Sequence, residues 1–159
     1  MKEEIKIRKG KDKDIINASD LVYKTFKKFN ANEGPKEAVE KYLGFHDTKK
    51  NLENIKEGYR NSRIFFIAED NGKIIGVIRG SELRIGSLFV DEKYHKKGIA
   101  RKLLKKFEKE AEKYCSRKIK VRASLYSIEF YKKAGYKKST GIKKGIGLNF
   151  QPMIKKLEN

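Results

Sequence analysis

The chain has 159 residues, 38% hydrophobic and 38% charged, which supplies one ordinary core and places a single domain over residues 1–159. Forty Lys and Arg against 21 Asp and Glu leave a formal net charge of +19, a field that attracts anions, although the lysines are scattered over every segment as a solubilising surface would have them. Cys115, His46 and His95 are too few for an intramolecular disulfide or a structural zinc cluster, and no apolar run approaches the roughly 18 to 20 residues of a membrane-spanning helix.

Met1 to Gly10 is charged and alternating, so no signal peptide is visible, a cytoplasmic protein is expected, and Glu4 to Arg8 is predicted as a first strand. Acidic residues in Lys11-Asp12-Lys13-Asp14 suit a helix entry, and Ile15, Ala18, Val22, Phe26 and Phe29 then line one face of a helix that stops near Asn30. Gly34-Pro35 breaks the chain before a short helix through about Leu43, and a second amphipathic piece carries Leu52 and Ile55. Ile64 to Ala68 and Lys73 to Ile78 flank Asn71-Gly72 as a hairpin, and Leu83 to Val90 completes an antiparallel meander. A long helix follows with Ile99, Leu103, Phe107, Ala111 and Tyr114 on one face. Cys115, near its end, is expected as a small core residue. Ile119 to Ala123 reads as a strand, Ser127 to Lys133 as a helix closed by Ala134-Gly135, and Tyr136 to Lys138 as another strand. A Gly-rich connection through Gly141, Gly145 and Gly147 leads to a last strand near Leu148 to Met153, where Pro152 suggests an edge or strand end. The order predicts an α/β fold: a mixed sheet with helices on both faces.

Chemistry concentrates between Leu88 and Leu104, where a strand passes through a short basic loop straight into a helix. The first-turn N–H groups of a helix have no partner within it, and its dipole adds positive charge there, an arrangement suited to phosphate. Gly98 lets a phosphate approach the backbone, Ala100 is nearly as small, and Lys96, Lys97, Arg101 and Lys102 add charge. Neither a Walker loop nor a dinucleotide G-x-G-x-x-G pattern is present.

Val90 followed by His95-x-x-Gly98-x-Ala100 and an amphipathic helix resembles the acetyl-CoA signature of the GNAT acyltransferase superfamily, Arg/Gln-x-x-Gly-x-Gly/Ala, with His95 standing where Arg or Gln is usual. A second block, Ser124-x-x-Ser127-Ile128-Glu129-Phe130-Tyr131-Lys132-Lys133-Ala134-Gly135-Tyr136, resembles the family's Asn-x-x-Ala-x-x-Phe-Tyr-x-Lys-x-Gly-Phe/Tyr segment, with Ser124 in place of Asn and Ser127 in place of Ala. The resemblance covers about Arg63 to Tyr136 and implies a central, mostly antiparallel sheet of about six to seven strands flanked by helices on both faces.

It also implies roles. Leu88, Phe89 and Val90 would pair with the pantetheine arm of acetyl-CoA as if it were an added strand, and amides there would polarise the thioester carbonyl. His95, Lys96, Lys97, Gly98, Ile99, Ala100 and Arg101 would form the pyrophosphate loop, with Lys102 near it and Ser124 touching the cofactor through its hydroxyl. Tyr131 would protonate the departing CoA thiolate. An amine acceptor must lose a proton. Where some relatives carry a Glu this chain has Arg84, so Glu82, two residues earlier on the same face of a regular strand, is the candidate base. Tyr23, His46 and Tyr59 fall in segments expected to wall the acceptor side. Nothing assembles a nucleophilic triad around Cys115, so direct transfer to a primary amine in a ternary complex is expected rather than an acyl-cysteine.

The expected partner is a small-molecule or peptide amine, with no metal and no membrane. Family members are often dimers, so the resemblance leaves a homodimer open, although no exposed heptad or apolar surface can be read in this sequence. Two rival readings are a basic nucleic-acid-binding module and a CoA sensor without turnover. Against the first, the long helix also carries Glu108, Glu110 and Glu112, and no nucleic-acid reading motif is present.

Overall fold

The computed structural model describes residues 4–157. Among the described residues eight strands, β1 (Ile5–Lys9), β2 (Ile64–Asp70), β3 (Lys73–Ser81), β4 (Arg84–Val90), β5 (Lys118–Ser124), β6 (Lys137–Lys138), β7 (Lys143–Gly145) and β8 (Leu148–Lys156), form one sheet in the order β1-β2-β3-β4-β5-β8-β6, with β7 also paired to β8. Strand β1 leads into helix α1 (Ile15–Phe29), followed by α2 (Lys36–Phe45) and α3 (Leu52–Arg60). The meander β2, β3 and β4 comes next, then α4 (Ile99–Lys113), β5, α5 (Ile128–Lys133), β6, β7 and β8. Every pairing is antiparallel except β4 with β5, which is parallel.

The two faces of the sheet bury different helices. Ile64, Phe66, Ile78 and Ile85 pack with Ile99, Leu103, Leu104 and Phe107 of α4, while Ile67 and Val77 pack with Ile15, Ala18 and Val22 of α1 and with Ile55 and Tyr59 of α3. Three- and four-residue spacing on each helix meets two-residue alternation on the strands, and each buried aliphatic side chain is worth about 1.5–3 kcal/mol against leaving it in water. Phe26, Val39 and Leu43 close a smaller cluster between α1 and α2. At the entry to α1, the Arg8 guanidinium grips the buried Asp14 carboxylate at 2.8 and 2.9 Å, and Asp14 also accepts the Lys11 N–H at 2.8 Å. This clamp fixes the direction in which the chain leaves β1.

Some expectations need correction. Cys115 is exposed, because α4 ends at Lys113 and Cys115 takes a left-handed backbone (φ 64°) that turns it out, while the Ser116 N–H returns to the Ala111 carbonyl at 3.1 Å. The Gly-rich connection holds a strand, β7, joined to β8 by the two-residue turn Ile146-Gly147. Pro152 lies inside β8, opposite Arg122 of β5, rather than at its end. It is tolerated because on the other side of β8 residues 151 and 152 fall in the gap between the β7 and β6 pairings.

Candidate active site

The parallel strands β4 and β5 pair only at Arg84↔Lys120 and Ile85↔Val121. Beyond that point β4 continues through Gly86–Val90 on β3, and β5 continues through Arg122–Ser124 on β8, so the two strands diverge and leave a wedge in the middle of the sheet. Among the described residues the facing edge of β4 has no ladder partner here, and Leu88 and Phe89 stay half-exposed. Backbone donors and acceptors left open beside apolar side chains can take an extended ligand as an added strand.

At the wide end of the wedge the chain turns from β4 into α4. The Asp91 N–H bonds the Ile75 carbonyl at 2.8 Å, and the buried Asp91 carboxylate accepts the Lys93 N–H at 3.0 Å and faces the Lys24 ammonium at 3.4 Å. Burial alone would raise the Asp91 pKa, but the Lys93 amide and the Lys24 charge outweigh it and hold it below the ordinary carboxylate value. His95 Nε2 donates to the Val90 carbonyl at 2.7 Å. His95 therefore folds the loop back on the end of β4. Lys96 (φ 62°) and Gly98 (φ 78°) both adopt left-handed backbone, curling the loop so that Gly98 caps α4. Lys96, Lys97 and Gly98 are exposed, and a Cβ built on Gly98 meets nothing within 4 Å. The first-turn amides of α4 thus open onto clear space at the wedge, an anion cradle of loop and helix dipole together. Lys102 is exposed beside them, whereas Arg101 donates from Nη1 to the Lys133 carbonyl at 3.0 Å and ties α5 to α4.

On the β5 side, Ser124 Oγ donates to Ser127 Oγ at 2.9 Å, and Ser127 Oγ donates to the Ser124 carbonyl at 3.0 Å, fixing the turn into α5. Tyr131 of α5 is 4% exposed and packs in the same cluster as Val90, Ile99 and Ala123, which border the wedge. Its ring stands edge-on to Phe130 and Tyr136, at 5.1 and 5.4 Å. Burial pushes the Tyr131 phenol well above its ordinary pKa, so it stays protonated and keeps a proton to donate. The doubled motif thus brings the β4 edge, the Gly98 loop, Ser124 and Tyr131 around one wedge.

The opposite wall comes from α1 and the segment after it. Phe29 touches His95 at 5.1 Å and Tyr126 at 5.3 Å, bridging the chain that follows β4 and the chain that follows β5. Beyond it lies Glu33, only 6% exposed, whose Oε1 accepts the Asn30 amide at 3.0 Å and the Tyr126 N–H at 3.1 Å. Burial raises the Glu33 pKa against the pull of those donors, and among the described residues no cation pairs with it. Sequence reasoning missed Glu33, since an acidic residue just after a helix stop reads as a solvated loop. The Asn30-x-x-Glu33 spacing was the available signal. Glu82 is different. It sits in the β3–β4 turn rather than on the strand, so its two-residue spacing from Arg84 fixes no shared face, and it pairs with Arg63 at 3.3 Å. That turn precedes the start of β4, and at about 3.3 Å per residue it lies roughly 20 Å from Val90 at the wide end of the wedge. Tyr23 borders the α1–α2 cluster, whereas His46 and Tyr59 lie together under α3, away from the wedge. Among the described residues no group of His, Cys, Asp and Glu could hold a metal ion, and no helix is long and apolar enough to cross a membrane.

Comparison with known proteins adds to this geometry. The family model described as an acetyltransferase (GNAT) domain matches residues 30–157. A GCN5-related N-acetyltransferase structure from Rhodopseudomonas palustris superimposes with a TM-score of 0.81 at 20% identity, covering 99% of each chain. PaiA N-acetyltransferase from Thermoplasma acidophilum, solved in complex with coenzyme A, gives a TM-score of 0.74 at 22% identity over 97% of this chain and 99% of that one. A Pyrococcus horikoshii structure gives 0.70 at 29% identity over 98% and 100%. The curated proteins gave no match.

Proposed function

Because the chain belongs to the GNAT acetyltransferase family, we propose that it moves the acetyl group of acetyl-CoA to a primary amine, by direct transfer in a ternary complex. Membership makes it an acyltransferase. The donor, the acceptor and the residue roles rest on the wedge. The single observation that carries the reading is the pairing of β4 and β5 at two positions only, directly ahead of a helix whose first turn opens onto clear space at Gly98.

The residues fit coenzyme A. The free edge of β4 from Leu88 to Val90 matches an extended arm with amide groups, and the Lys96–Ala100 loop with Lys102 matches a diphosphate. When bound, acetyl-CoA supplies a thioester open to attack by an amine. The amides of Leu88–Val90 stabilise negative charge on a carbonyl oxygen placed at that edge. Tyr131, held protonated, donates its proton to a sulfur that acquires charge. Arg101 acts as a positioning residue by locking α5, and hence Tyr131, against α4. Glu33 takes the proton that an ammonium must lose, because its buried carboxylate has a raised pKa and no fixed counter-ion among the described residues. The protein acts as one domain over the whole chain, on a small-molecule or peptide amine.

Calorimetry tests the donor side. CoA is expected to bind the purified protein, and Gly98→Glu is expected to weaken it by at least roughly a hundredfold, since like charge and bulk then occupy the cradle. CoA binding that survives Gly98→Glu unchanged places the cofactor elsewhere and removes the reading.

A further inference from the structure

Charge is not even along this chain. Residues 113–157 hold thirteen Lys and Arg and a single acidic residue, Glu129, so little more than a quarter of the sequence carries +12 of the net +19. Besides α5, these residues build β5 to β8, the second half of the sheet. One side of that half is buried with α4, through Ile119, Val121, Ala123 and Met153. On the other side α1, α2 and α3 cover the first half and reach the second at Tyr126 and Leu148, leaving Lys118, Lys120 and Arg122 of β5 exposed.

Residues paired across a ladder share a face, so the register gives what this side presents. Arg84 of β4, Lys120 of β5, Ile154 of β8 and Lys137 of β6 form one row across four strands, about 14 Å long at the usual strand spacing. In the flanking rows Lys118 stands opposite Lys156, and Arg122 opposite Pro152. All six cations are exposed, and among the described residues none of them is held in an ion pair. Glu82, two residues before Arg84, is taken by Arg63. Between the cations of β5 and β6 runs an apolar strip of half-buried side chains on β8: Phe150, Pro152 and Ile154. The Arg122 guanidinium lies over the Phe150 ring, 5.2 Å from its centroid.

This combination selects the occupant. A second copy seated symmetrically here would set like charges against each other. A lipid headgroup layer would use the cations and leave the aromatic ring without a role. A single nucleic-acid strand uses both, since its phosphates pair with cations while its unstacked bases lie on aromatic rings and guanidinium planes. We propose that this open face binds single-stranded nucleic acid, its phosphates met by the cations of β5 and β6 and its bases lying on the strip from Phe150 to Ile154. Such contacts are tolerant of sequence, which agrees with the absence of a reading motif. The surface stands independently of the transferase reading.

A fluorescently labelled oligouridylate of about 12 nucleotides is the probe. It is titrated with the full-length protein by anisotropy between roughly 50 and 200 mM salt. Saturable binding is expected, with log K falling against log salt at a slope of about −3, the value for about four phosphate contacts on a single strand. Lys120→Glu combined with Arg122→Glu is expected to weaken binding by roughly a hundredfold and to flatten the slope to about −1.5. Its melting temperature should hold, because both side chains are exposed and repulsion among the rows is relieved. Lys105→Glu combined with Lys109→Glu makes the same change of net charge on the exposed flank of α4 and is expected to leave binding nearly intact. Phe150→Leu keeps every charge, so it is expected to weaken binding by roughly tenfold with the slope unchanged, through lost stacking. Equal losses in the two double variants mean attraction to net charge alone, and loss in Gly98→Glu places the strand in the helix cradle. Tighter binding of a duplex of the same length or of phosphatidylserine vesicles, or a dimer that Lys120→Glu with Arg122→Glu splits, names another occupant. Each of these results, like an absence of saturable binding, overturns the proposal.

Discussion

Replacing Tyr131 with phenylalanine removes one oxygen and leaves the ring. Its edge-on contacts with Phe130 and Tyr136, at 5.1 and 5.4 Å, survive the change. Among the described residues the hydroxyl has no hydrogen-bond partner, so nothing is orphaned when it goes, and the stability change is expected to stay within about 0.5 kcal/mol. Turnover is expected to respond very differently. A positioned general acid contributes roughly 10²–10⁴ in rate, and the middle of that range corresponds to about 4 kcal/mol in the barrier. Burial pushes the phenol pKa up, so the wild-type hydroxyl is protonated across the working range and contributes no fall in kcat as pH rises toward 9. The assay is release of free CoA thiol over a panel of primary amines, run beside CoA calorimetry. The variant should bind CoA as the wild type does, turn over about a thousandfold more slowly, and regain most of that loss with an acetyl thioester of a more acidic thiol, whose departure needs no proton. Wild-type rates in Tyr131→Phe, or an equal deficit with both donors, return the tyrosine to packing alone.

The remaining predictions concern the acceptor wall and the clamp at the start of the chain. Glu33→Gln is expected to lower kcat by about a hundredfold and to remove the acid limb of the rate profile, which in the wild type rises as Glu33 deprotonates. Because the folded pKa is raised, the wild type is favoured at low pH and loses that advantage as pH rises through the folded value, so thermal melts of Glu33→Gln should gain on the wild type from pH 4 to pH 7. Asp14→Asn is expected to cost roughly 3 kcal/mol at pH 7, since it leaves Arg8 without its closest buried partner. The Arg8 guanidinium holds the Asp14 pKa below its ordinary value, so this contribution is present above the unfolded pKa and disappears as pH falls through the folded one. Denaturant melts should therefore converge for the two proteins in acid, and a constant gap at every pH would show that the ion pair is not the cause.

Local signals in the sequence were strong where they agreed with the tertiary structure. Asn71-Gly72 announces a two-residue turn, and both residues take positive φ, 49° and 84°, between the paired Asp70 and Lys73. The turn at Ile146-Gly147 has the same form, with φ of 57° and 81°, but a β-branched residue occupies a position that normally disfavours it, so β7 went unseen. The left-handed Gly98 ahead of α4 and the buried Tyr131 of α5 belong to short runs of consecutive residues with fixed spacing, the kind of signal a sequence displays directly. Glu33 does not, for its burial depends on Tyr126, which lies 93 residues away in sequence.

The short seam at Ile85 and Val121 divides the hydrogen-bond ladder into two panels, β1 to β4 and β5 to β8, which share the core under α4 but pair along one short edge. A guest strand seated in the opening would bond to both panels and act as a removable structural member, so that loading the protein stiffens it and unloading it frees the hinge. If acetyl-CoA is that guest, each turnover would carry a mechanical cycle with it: the panels that grip the donor would have to slacken each time the spent carrier leaves.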